Sequence, residues 1–92
     1  MTSAADIAAK ATDLVGGDRK AAYGDAFSGW SRVAELWSAW LNHPVSAHDA
    51  VTMMELMKIS RRKSGPPRED NYVDACGYAA VAGEIASRET RR

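Results

Sequence analysis

Ala26-Phe27-Ser28-Gly29-Trp30-Ser31-Arg32-Val33-Ala34-Glu35-Leu36-Trp37-Ser38-Ala39-Trp40-Leu41-Asn42 carries the strongest period in the chain. Phe27, Trp30, Val33, Ala34, Trp37, Trp40 and Leu41 recur at three- and four-residue steps, which puts them on one face of a helix. The first expectation for such a stripe is burial, so the three tryptophans are assigned to the core. A base-stacking platform is the alternative use of exposed aromatics.

Working outward, Asn42-His43-Pro44-Val45 breaks this helix, and Ser46 caps the next with Asp49 in the capping-box position. That third helix is predicted over Ser46 to about Arg62. It carries Val51, Met54 and Met57, and Met53 and Leu56 widen its apolar face enough for burial on two sides. Lys63-Ser64-Gly65-Pro66-Pro67 ends it, because glycine and tandem proline cannot continue a helix. A fourth helix is predicted from Arg68 or Glu69 towards Ser87, with a flank of Cys76, Gly77, Ala80 and Gly83 that permits close packing. Upstream, a thin stripe of Ile7, Ala8, Ala11, Leu14 and Val15 marks a weaker first helix from about Ser3 to Val15, closed by Gly16-Gly17. The tail from Arg88 to Arg92 is expected to fray.

The 92 residues suffice for one domain. The expected fold is an all-α, four-helix bundle over the whole chain, with three strong helices and a weaker N-terminal one. A core this small gains from oligomerisation, so a homo-oligomer is expected. Twelve basic and twelve acidic residues cancel, which argues against a dedicated nucleic-acid binder. Cys76 is the single cysteine, which leaves no internal disulfide or cysteine zinc site, and its Ala/Gly-rich setting reads as core. His43 and His48, five residues apart across a helix start, make poor zinc ligands. No apolar run reaches membrane-spanning length, and the N-terminus lacks the pattern of a signal peptide, so a cytoplasmic location is expected.

Chemistry concentrates near the C-terminal end, in Asp70-Asn71-Tyr72-Val73-Asp74-Ala75-Cys76-Gly77-Tyr78. Asp70 and Asp74 share one helical face, and Asp74 lies among small and apolar residues. An acid there needs a pairing partner, hydrogen bonds or a metal. The short break between the third and fourth helices favours an antiparallel hairpin, which lets Glu55, Lys58 and Arg62 face Asp70 and Asp74. Acidic oxygens from Glu55, Asp70 and Asp74 would suit magnesium, while Lys58, Arg61 and Arg62 would neutralise phosphate. The competing assignment is a salt-bridge network that only sets the register of the hairpin. In Tyr23-Gly24-Asp25, Gly24 permits a turn and Asp25 caps the second helix. In a functional reading, Arg19, Lys20 and Tyr23 stand at the mouth of the site to hold a phosphate or stack on a base.

Tyr23-Gly24-Asp25, Trp30, Leu36-Trp37, Met53-Met54-Glu55-Leu56-Met57-Lys58-Ile59-Ser60-Arg61 and Asp70 to Tyr78 together resemble a family of small phage-encoded proteins of unknown function. The pattern covers roughly Arg19 to Glu84. More distantly it resembles the all-α nucleoside triphosphate pyrophosphohydrolases of the MazG and dimeric dUTPase type. That resemblance implies magnesium held by a Glu-x-x-Glu pair and a later Glu-x-x-Asp pair, and assembly into dimers or tetramers. Glu55 matches the first acid and Asp74 the last, followed by the aromatic Tyr78. Lys58 and Asn71 replace the other two, with Asp70 one residue from Asn71.

Three functions therefore compete. A magnesium-dependent nucleotide pyrophosphohydrolase would use Glu55, Asp70 and Asp74. A nucleotide-binding module without turnover would let Lys58, Arg61 and Arg62 replace the charge of the metal. An interaction protein acting on a host protein in the infected cell would use the same cluster only structurally.

Overall fold

Residues 2–17 and 25–89 are described in the computed structural model, and among them there are four α-helices and no strand. The helices are α1 (Ala4–Gly16), α2 (Ala26–Leu41), α3 (Ala47–Ser60) and α4 (Glu69–Glu89), with a 3-10 turn over Arg61–Lys63. Each predicted helix is present within a few residues of its expected ends. The last turn of the third differs, because the chain tightens into the 3-10 form before Gly65.

Local chemistry explains the starts. Ser3 and Ser46 each accept from the backbone N–H three residues on, and Asp6 and Asp49 accept from the backbone N–H of their serine, giving two complete capping boxes. Asp25 caps α2 by accepting from the Ser28 backbone N–H at 3.2 Å. The end of α2 is set by Asn42 in the left-handed region at φ 52°, a conformation that asparagine tolerates better than most residues. From there the Ser38 hydroxyl fastens the following turn, donating to the Val45 carbonyl and accepting from the Val45 N–H.

α4 is the helix on which the others converge, with α3 and α1 packed along it and α2 touching it more lightly. Three tie points show that α3 and α4 run antiparallel. Asn71 meets the Arg61 carbonyl, Lys58 meets Asp74, and Ala47 and Val51 cluster with Ala82 and Ile85. The core is made of small residues. Alanines at 11, 34, 47, 50, 75 and 82 are buried, and Ile85 and Val51 are the largest side chains fully removed from solvent. Phe27, Trp30, Tyr78 and Val81 flank this cluster half-buried.

Several expectations are corrected here. The tryptophan stripe is not the core: Trp30 and Trp37 are half-buried, and Trp40 is 88% exposed. The alanines bring the helices too close to leave room for an indole between them. For the same reason α3 is not buried on two sides, since Met53 and Leu56 point outward. Cys76 is exposed, not in the core. α1 packs along α4, where Gly77 lets Val15 approach within 3.4 Å of the position a Cβ would take. Arg88 belongs to α4 and donates to Asp25 at 2.8 Å while its guanidinium stacks over Phe27, so this part of the tail is held.

Two outcomes follow for stability. Ile85→Ala should cost about 2–5 kcal/mol, read as a lower denaturant midpoint, whereas Gly83→Ala, with nothing within 4 Å of its Cβ, should gain up to about 1 kcal/mol. Hydrogen bonds from Ser3 and Ser46 hold the Asp6 and Asp49 carboxyls below their ordinary value. Partial desolvation opposes the shift at Asp25, but the Arg88 and Ser28 hydrogen bonds win and lower it too. Stabilisation by a lowered acid is complete above the ordinary carboxylate range and is lost as pH falls through the folded value. Urea midpoints should therefore decline below about pH 4, and Asp49→Asn should make that decline shallower.

Candidate functional site

Asp74 stands on the half-buried side of α4, one turn before Tyr78, and its partner is Lys58 from α3 at 2.8 Å. The pair is largely covered, with 15% of the lysine side chain and 29% of the aspartate exposed. The expected acid-bearing face thus exists, and its charge is balanced by a lysine arriving across the hairpin. One turn nearer the break, the buried amide of Asn71 donates to the Arg61 carbonyl at 3.3 Å, satisfying a backbone group at the tightened end of α3.

The other expected site residues are distributed around this pair. Arg62 does not face Asp70 or Asp74; its guanidinium stacks over the Tyr72 ring at 4.6 Å on the outer surface. Asp70 is exposed at the start of α4, beside Glu69, which receives a hydrogen bond from Lys10 and one from the Thr2 hydroxyl. Glu55 is half-buried on α3, and Arg61 is exposed. Arg19 and Tyr23 lie outside the described residues. Among the described residues no three His, Cys, Asp or Glu side chains come together to hold a metal ion. A magnesium ion at Asp74 would have to compete with the Lys58 ammonium for the same oxygens.

On its other side Asp74 opens into a cleft of about 600 Å³ between α1, α2 and α4. This is the size range of small-molecule sites. Trp30 and Tyr78 form its aromatic corner, edge to face with centroids 6.1 Å apart and planes at 83°. Leu14, Val15, Val33 and Val81 line the apolar wall, and Asp25, Asp74, Glu84 and Arg32 supply the polar rim. The Asp25–Arg88 pair ties the start of α2, where Asp25 lines the cleft, to the far end of α4. Arg32, Glu84 and Arg88 were not among the expected site residues. Glu84 shares a helical series with positions 74, 77, 78 and 81, but which neighbour that face meets depends on how the helices cross, and nothing local marks Arg32 or Arg88.

Substituting either member of the Lys58–Asp74 pair leaves its partner charged and partly covered. Lys58→Met or Asp74→Asn should each destabilise by about 1–2 kcal/mol, between the values for exposed and buried pairs. A double-mutant cycle in urea should show the two losses to be less than additive, because the second change removes the charge stranded by the first.

Comparison with known proteins gives a consistent picture. Residues 6–86 match the family described as Domain of unknown function (DUF6378). The chain is 33% identical over 87 residues to the Gene 55 protein of Mycobacterium phage L5, covering 94% of this chain and 56% of that protein. It is also 33% identical over 79 residues to the Gene 55 protein of Mycobacterium phage D29, covering 86% of this chain and 52% of that one. The chain thus spans about half the length of these curated relatives. No solved structure matches. The chain therefore belongs to the family described as Domain of unknown function (DUF6378), and the relatives it resembles are phage proteins.

Proposed function

We propose that this chain binds a nucleotide or nucleotide-derived small molecule in the cleft between α1, α2 and α4, without turnover. The observation that carries the reading is the aromatic corner of Trp30 and Tyr78 beside the charged rim of Asp74, Glu84 and Arg32. A nucleobase is flat and apolar on its faces and carries N–H donors on its edge. An aromatic corner takes the faces, and carboxylates accept from the edge. Arg32 is the lining cation for a phosphate oxygen.

Binding without metal is favoured over hydrolysis by the Lys58–Asp74 pair. In metal-dependent phosphoryl chemistry, carboxylates hold the cation that screens the phosphates. Here the acid expected to be central is already neutralised by an ammonium 2.8 Å away. The distant resemblance to MazG-type pyrophosphohydrolases lacks two of the four expected acids, at Lys58 and Asn71, so it does not carry their reaction over to this chain.

Thermal unfolding against nucleoside mono-, di- and triphosphates, with and without magnesium, tests this directly. A nucleotide at 100 times its Kd should stabilise by about 2.7 kcal/mol without magnesium, and Arg32→Met should weaken phosphorylated ligands more than nucleosides. Absence of a shift with every nucleotide would overturn the reading. A shift that requires magnesium and is lost in Asp74→Asn would replace it with the metal-dependent enzyme.

A further inference from the structure

From Lys58 to Arg68 the chain carries five cations, Lys58, Arg61, Arg62, Lys63 and Arg68, and no acid. The zero formal net charge of the whole chain therefore hides a local excess. Lys58 is taken by Asp74, but among the described residues none of the other four side chains is in an ion pair. All four residues are exposed at the tip of the α3–α4 hairpin, and none of them lines the cleft. Of the two acids that open α4, Glu69 receives Lys10, which leaves Asp70 to set against four cations.

Backbone contacts hold the tip in shape. The Arg61 carbonyl accepts from the Ser64 N–H at 3.1 Å and from the Asn71 amide at 3.3 Å. The Arg68 carbonyl accepts from the Asn71 N–H at 3.2 Å, and Pro66 and Pro67 restrict the connection between them. A ligand gripped there costs little further ordering of the chain. Arg62 lays its guanidinium over the Tyr72 ring at 4.6 Å, and Tyr72 is 39% exposed. Arg62 is itself exposed, so a flat group can stack on the guanidinium from the solvent side.

Four cations without internal partners call for an anion, and their surroundings narrow its kind. Residues 61–68 hold no large apolar side chain that could enter a bilayer. An acidic protein would use the charges but not the stacked pair. A single nucleic-acid strand uses both, with phosphates for the cations and unpaired bases to continue the Arg62–Tyr72 stack. A duplex keeps those base faces covered.

We propose that the tip of the α3–α4 hairpin grips a single nucleic-acid strand, with Arg61, Lys63 and Arg68 on its phosphates and Arg62 on Tyr72 as the stacking platform. The inference does not depend on what the cleft binds.

Fluorescence anisotropy of a labelled oligothymidylate, titrated with the full chain at several salt concentrations, tests this. Log affinity falls against log salt by about 0.7 per phosphate contacted, so four cations predict a slope of about −2.8. That is a loss of roughly fifty-fold between about 50 and about 200 mM salt. Arg61→Gln, Lys63→Gln and Arg68→Gln should each make the slope shallower by about 0.7. Arg62→Lys should keep the slope yet weaken binding several-fold, because it retains the charge and loses the planar stack. Absence of binding at low salt, an unchanged slope in the glutamine variants, or tighter binding of a duplex of equal length would overturn the proposal. Wild-type affinity in Arg62→Lys would overturn it as well, by removing the ground for a single strand. None of these substitutions touches a residue of the cleft, so failure here is distinct from failure of the nucleotide reading.

Discussion

Close approach of alanine-faced helices to α4 is the constraint on which the rest of this structure depends. Alanines at 47, 50, 75 and 82 let α3 and α4 pack without large side chains between them. Interiors are packed to crystal density, so what the alanines admit, bulkier groups must leave. Val51 and Ile85 are the largest side chains fully removed from solvent, and the aromatics beside their cluster stay half-buried at its flanks. Trp30 and Tyr78 meet edge to face at the corner of the cleft. Trp40, like Leu36, stands in solvent.

The same proximity gives the Lys58–Asp74 pair its character. Brought together across a tight hairpin, the two charges are largely covered. A pair in that setting adds little net stability, because desolvation offsets most of its attraction, but a slip of one helix against the other would strand both charges. Asn71 imposes a similar condition one turn away by answering the Arg61 carbonyl. The two contacts set the register of the hairpin, and Asp74 also faces the cleft. One residue therefore belongs to both the packing and the candidate site, which is why its substitution needs readouts of folding and of binding.

Much of this was legible in the chain. Serine and aspartate at three-residue spacing announced both capping boxes, Asp25 announced the start of α2, and the glycine–proline run announced the hairpin. That the third and fourth helices would run antiparallel, with Lys58 among the residues able to face Asp74, followed from the shortness of that break. The stretch most suggestive of a core, with three tryptophans at helical steps, was misread as to burial. Periodicity identifies a face, and burial is decided by what lies opposite it. The cleft was less visible still, since its lining comes from three helices and from single positions such as Arg32 that carry no local signal.

The sequence by itself determined the elements: four helices, their caps and stops, and an acid in the fourth that required a partner. These depend on interactions within a few residues, and local backbone chemistry suffices to set them. Only the tertiary structure decided that the partner is Lys58, that Arg62 stacks on Tyr72, that Cys76 and Trp40 face outward and that Asp74 borders a cleft. Each of those depends on how closely and at what angle two helices meet. That geometry comes from the summed volumes of side chains distant in sequence, which no single window of the chain contains.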